Sequence, residues 1–101
     1  MKLDRNTLKV MKHEEKYSLQ LLTTGGNYLH TKKLFEIDEV MLVRSLLLDQ
    51  EFTDQDIEIK EDDGYFRLYL RIKDTNGEPY IFHSRKMNLN DVTYERDEIL
   101  A

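Results

Sequence analysis

Asp56-Ile57-Glu58-Ile59-Lys60, then Asp63-Gly64, then Tyr65-Phe66-Arg67-Leu68-Tyr69-Leu70-Arg71-Ile72-Lys73: this stretch decides how the chain folds. Asp-Gly between alternating runs marks a tight hairpin, because both turn residues must take positive φ and few residue pairs accept that. A two-residue turn at Asp63-Gly64 sets Ile59 opposite Leu68 and Ile57 opposite Leu70. On the other side Asp56 meets Arg71, Glu58 meets Tyr69 and Lys60 meets Arg67. Apolar faces apolar and polar faces polar. A slip by one residue would invert every side chain, so the register is well specified. Ile57, Ile59, Leu68 and Leu70 are therefore expected to share a buried face, with Glu58 and Arg67 exposed.

Working outward, a third strand is expected over 80–85, reached through Asn76-Gly77-Glu78-Pro79. Pro79 has no N–H for a ladder and belongs to the loop or the first strand position. Ile81 and Phe82 compete for the core face. Upstream, strands are expected over 8–12, 16–24 and 28–35, with Gly25-Gly26-Asn27 as the turn between the last two. A helix is expected from Asp38 as N-cap, with Glu39 in its first turn. Ile37, Val40, Met41, Leu47 and Leu48 form its apolar stripe, and Leu42, Val43 and Leu46 widen it beyond one face. Such a helix is either deeply buried or offers its spare apolar side to a partner. The run 40–43 also reads as a buried strand. A weaker helix is expected over 91–100, capped by Asn90, with Val92, Arg96 and Ile99 along one side.

The element order is thus three strands, a helix, three strands, a helix. The residues echo it. His30-Thr31-Lys32-Lys33-Leu34 matches His83-Ser84-Arg85-Lys86-Met87 at every position by identity or conservative change. Ile37-Asp38-Glu39-Val40 then matches Leu89-Asn90-Asp91-Val92, although helix starts resemble one another for physical reasons. Glu14-Glu15-Lys16-Tyr17 lies against Asp62-Asp63-Gly64-Tyr65. The expected class is α+β: two βββα halves, antiparallel meanders packed with two helices, as an internal duplication within a single domain 1–101, with sub-repeats 7–50 and 56–100. Neither half would easily bury a sheet face alone.

The chain has 101 residues, 40% hydrophobic and 35% charged, which suits one folded domain. Its net charge of −5 is unevenly spread. Residues 1–35 hold 7 basic and 3 acidic side chains, residues 36–63 hold 2 and 11, and residues 64–101 hold 6 and 6. This balance speaks against a general nucleic-acid binder. No run is apolar enough to span a membrane, and the stretch after Met1-Lys2-Leu3-Asp4-Arg5-Asn6 lacks the apolar segment of a secretory signal. A cytoplasmic location is expected. With no cysteine there is no disulfide, thiolate nucleophile or cysteine-based zinc site.

Catalytic patterns fail on spacing. The hydroxyl residue follows each His directly, in His30-Thr31 and His83-Ser84, so the two cannot line one pocket from a strand; the His-x-Thr/Ser motifs of two-histidine phosphoesterases are not matched. Gly25-Gly26 lacks the Lys-Ser/Thr of a phosphate loop. No frame in the acidic run 49–63 supplies a calcium loop's ligands with Gly at the sixth position. The serines Ser18, Ser45 and Ser84 stand in no nucleophile-elbow context. The outward stripe Tyr65, Arg67, Tyr69, Arg71, Lys73 alternates aromatic and base, as some single-strand platforms do, yet Asp56 and Glu58 stand ready to pair with it.

No enzymatic activity, metal or cofactor is expected. The first functional reading is a small acidic interaction protein that binds, and in one version inhibits, a protein partner. It would dock through Leu42, Val43 and Leu46 and the acidic Asp54, Asp56, Glu58 and Asp62. The apolar excess also motivates a homodimer. In size, acidity and lack of catalytic motifs the chain resembles small phage or mobile-element inhibitors and accessory proteins. The alternative is a pseudo-symmetric binder of a small anionic ligand, such as a nucleotide, through His30, Lys32, Lys33, His83, Arg85 and Lys86.

Overall fold

Among the described residues, period-two alternation and turn residues produce six strands, and two apolar stripes produce two helices. A computed structural model describes residues 2–72 and 82–101. In chain order the elements are β1 (Leu8–His13), β2 (Lys16–Leu22), β3 (Tyr28–Thr31), α1 (Ile37–Asp49), β4 (Ile57–Asp62), β5 (Tyr65–Leu70), β6 (Phe82–Ser84) and α2 (Leu89–Leu100). Short 3-10 turns at Arg5–Thr7 and Asp54–Asp56 precede β1 and β4. The class is α+β, with one antiparallel six-stranded sheet in the order β1-β2-β3-β6-β5-β4. The β3–β6 pair is central, with His30 directly opposite His83.

The β4–β5 hairpin has the register read from its sequence: Ile57 pairs with Leu70, Ile59 with Leu68, Glu58 with Tyr69, and Lys60 with Arg67. Asp63 and Gly64 take φ of 55° and 82°, as the tight turn requires. Ile57, Leu68 and Leu70 are buried, and Ile59 packs partly buried against them. Glu58 and Arg67 are half-buried rather than exposed, because neighbouring strands crowd them on the outer face. The expected strand start at Tyr80, the loop Asn76 to Pro79, Lys73 and Ile81 lie outside the described residues. Phe82 takes the core face and is fully buried, opposite Thr31 on β3 and Leu70 on β5.

Both helices pack on one face of the sheet. Val40, Val43 and Leu47 of α1 and Val92 and Ile99 of α2 join Leu8, Leu19, Leu21, Leu29, Leu68, Leu70 and Phe82 in one core. The apolar run 40–43 is helical, and its buried spacing is i, i+3, i+7. Ile37 and Met41, expected in the stripe, are instead 47% and 46% exposed. The expected caps also shift by two residues. Glu36 and Asn88 are the extended residues before the helices, and the Asn88 side chain accepts from the Asp91 N–H at 2.8 Å. The bridges Tyr17–Phe35 and Phe66–Met87 fix these points, because the chain can turn helical only after leaving the sheet. Asp38 and Asp91 therefore serve in the first turns, where they complement the helix dipoles.

Two buried acids were not expected. Asp56 has no exposed surface; its Oδ2 accepts from the Thr53 N–H at 3.0 Å, closing the turn before β4, and Arg71 Nε lies 3.8 Å from Oδ1. Glu95, rather than Arg96, occupies the inner side of α2 between Val92 and Ile99.

Candidate anion-binding cleft

The face of the sheet away from the helices is bare among the described residues, and its alternate positions carry more bases than acids. Lys9 stands on β1, Lys32 just beyond β3, Lys60 on β4, Arg67 on β5 and Arg85 just beyond β6, against the acids Glu58 and Asp62. The helices carry the opposite sign. Asp38, Glu39 and Asp49 outnumber Arg44 on α1, and Asp91, Glu95, Asp97 and Glu98 outnumber Arg96 on α2. Charge is thus sorted by layer, an arrangement that sequence order hides because strand residues alternate between faces.

At one end of the β3–β6 seam this face opens into a cleft of 460 Å³, lined by Gly26, Asn27, Tyr28, His30, Arg67, His83, Ser84, Arg85 and Lys86; the Ser84 hydroxyl is turned away from His83, to the buried Leu68 N–H. Of the six residues expected to bind an anion, the structure brings four together: His30, His83, Arg85 and Lys86. Lys32 stands away from it, its Nζ 5.7 Å from the Tyr69 ring centre. Lys33 points to the helix side, where it pairs with Glu39 at 3.2 Å and lies over Phe35.

Arg67 completes the cleft, and the sequence reading had assigned it to cross-strand pairing. Its Nη1 donates to the Ser84 carbonyl at 2.8 Å and its Nε to Asp62 at 3.0 Å. Only the sheet order, with β5 beside β6, brings it to the histidines. Arg85 is held differently. Its Nε and Nη2 both donate to Asn27 Oδ1, at 3.1 and 2.8 Å. Asn27 in turn donates from Nδ2 to the buried Glu95 Oε1 at 3.2 Å. A chain of contacts thus runs from α2 through the β2–β3 turn to the cleft. Fixed guanidiniums of this kind lose little freedom when they meet an oxyanion.

His83 has its pKa lowered from the ordinary imidazole value, first because burial penalises the charged form, and also because Arg67, His30 and Lys32 are near. Its backbone bond at Ser84 opposes that shift. An anion in the cleft would reverse the electrostatic part.

The residues expected to dock a partner are scattered. Leu42 is 61% exposed on the outer side of α1. Leu46 is half-buried against the core. Val43 is buried and unavailable to a partner, because it lies on the i+3 line of the core-facing stripe. Asp54 is exposed, and Glu58 is half-buried on the sheet face. Asp56 is a buried capping group, not a docking residue. Asp62 serves as counter-ion to the cleft, 3.0 Å from Arg67 and 3.9 Å from Lys86. No helix among the described residues is long and apolar enough to cross a membrane. In comparisons with known proteins, no family model, curated protein or solved structure matches the chain.

Proposed function

We propose that this domain binds a small phosphate-bearing anion, such as a nucleotide, in the cleft at the β3–β6 seam, and acts by binding rather than catalysis. The observation that carries this is the meeting of Arg67, Arg85, Lys86, His30 and His83 at one opening, in a chain whose net charge is −5. Paired guanidiniums match oxyanion geometry, and the imidazoles add donors when protonated.

Sulfate is the probe, because it keeps its double charge across the range in which histidine titrates. At low millimolar concentration it should shift the imidazole NMR signals of His30 and His83. Arg67→Ala or Arg85→Ala should each weaken that binding about tenfold or more, as loss of a charge-assisted hydrogen bond implies. Binding should tighten as pH falls and His83 takes up a proton, since the bound anion favours the imidazolium. The sign for the free protein is opposite. A depressed folded-state pKa means that His83's contribution to stability is full above the unfolded value and is lost as pH falls through the folded one. No sulfate-dependent shift, or a shift indifferent to both arginines, would end this reading.

The two βββα halves are proposed to share one plan, with the cleft at their joint. Several corresponding details support this. The Leu19 N–H donates to Thr31 Oγ1 at 3.1 Å, and the Leu68 N–H to Ser84 Oγ at 2.9 Å. The bridges at Phe35 and Met87, the 3-10 turns, and the positive φ of Glu14 and Asp63 also correspond. On this plan Phe35 rather than Leu34 answers Met87, and Glu14 answers Asp63, each one residue off the match in the sequence.

A second reading, docking on a protein partner and inhibiting it, as phage and mobile-element accessory proteins do, is favoured by the exposed Ile37, Met41 and Leu42 on α1. With Asp38 and Asp49 beside them, they fit an apolar surface rimmed by Lys and Arg better than a second copy of this acidic chain. The paired change Met41→Asp with Leu42→Asp should abolish a cross-link to such a partner that Arg67→Ala leaves intact. A wild-type dimer in sedimentation, dissolved by the same change, would instead make the face a self-association site.

A further inference from the structure

We propose that the open sheet face binds single-stranded nucleic acid, with a backbone phosphate in the β3–β6 cleft and a base stacked on Tyr28. This rests on the anion reading and extends it from one phosphate to a strand. Net charge argued against nucleic acid only while charge was counted along the chain. By layer, acids outnumber bases on both helices, while Lys9, Lys32, Lys60, Arg67 and Arg85 outnumber Glu58 and Asp62 on the open side. At about 4.8 Å per strand, the six strands give a cationic face roughly 24 Å wide. That is room for several nucleotides.

The aromatic placement selects the form of polyanion. Tyr28 is 48% exposed beside the cleft, its ring centre 6.4 Å from that of His30. A ring standing beside a phosphate site offers a stacking surface, which unpaired bases can use and the closed stack of a duplex cannot. Further across, Lys32 and Lys60 stand over the Tyr69 ring at 5.7 and 5.4 Å and extend the positive track. Stacking plus a charged track recognises the strand with little regard to sequence.

Fluorescence anisotropy with labelled oligo-dT and oligo-rU of about ten nucleotides tests this, beside a duplex and heparin. Both single strands should bind, with affinity falling as salt rises, and better than the duplex. A marked preference between them would identify the natural strand as DNA or RNA. Tyr28→Ala should weaken oligo-dT about tenfold, and by more than it weakens sulfate, whose affinity rests on the charged side chains of the cleft, and Tyr28→Phe should restore binding. Arg67→Ala should weaken both ligands. Sulfate binding without oligonucleotide binding would overturn this proposal and leave the anion reading standing; loss of both would overturn both. Heparin binding as tightly as oligo-dT, with Tyr28→Ala without effect, would reduce the face to a general polyanion surface and overturn the nucleic-acid assignment.

Discussion

Gly25→Ala lowers stability by about 1–3 kcal/mol and loosens the anion cleft, although the position lies in a surface turn. A β-carbon at Gly25 would stand 1.7 Å from Glu95 Oε1 and 3.1 Å from Tyr94 Cε2. Glu95 cannot simply swing away: it is 1% exposed, and Asn27 holds Oε1. Displacing it breaks the path to Asn27 and so releases Arg85, which should weaken sulfate binding as well. The neighbouring glycine has a different task, since Gly26 takes φ of 83° and has open space around it. The double variant Gly25→Ala with Glu95→Ala isolates the mechanism. Shortening Glu95 removes the collision, so the two losses should combine to at least about 1 kcal/mol less than their sum. Denaturant titration of the four proteins reads this directly. Additive losses, or a stable Gly25→Ala protein with unchanged sulfate affinity, would refute it.

Thr31→Val with Ser84→Ala should be comparably damaging, at about 2–6 kcal/mol for the pair. Each hydroxyl accepts from a backbone N–H that the core seals from water, Leu19 in one half and Leu68 in the other. Removing the acceptor strands that N–H, at about 1–3 kcal/mol each. If the halves share one plan, the single variants cost alike. Melting curves of the two singles and the pair make the test, and a loss confined to one half would refute the shared plan.

These expectations locate what the sequence made legible. The register of the β4–β5 hairpin was readable to the residue, because Asp63-Gly64 dictates its turn, but the burial of Glu58 and Arg67 was not, because it depends on the neighbours the hairpin meets in the sheet. The existence of α1 was readable, but not which residues it buries, since Ile37 and Met41 differ from Val40 and Val43 only in rotation about the helix axis. His30 and His83 were readable from their echo, and their direct pairing across the seam accounts for their meeting. Arg67 was not, because its approach depends on β6 entering between β3 and β5, a non-local pairing. Glu95 was hidden for another reason: an acid in an amphipathic helix reads as a solvent residue. Its one sequence trace was a second glycine in a turn where Gly26 alone has the positive φ.

Among the described residues, the surplus of acids on the helices and of bases on the open strand face sets an electric dipole across the sheet, negative at the helices and positive at the bare strands. A negatively charged object nearby exerts a torque on such a body and turns the strand side toward itself. Salt limits the range to about 8 Å at physiological strength. Beyond that distance the domain tumbles as an ordinary acidic protein, and only in the last few ångströms of an encounter does it acquire a leading face.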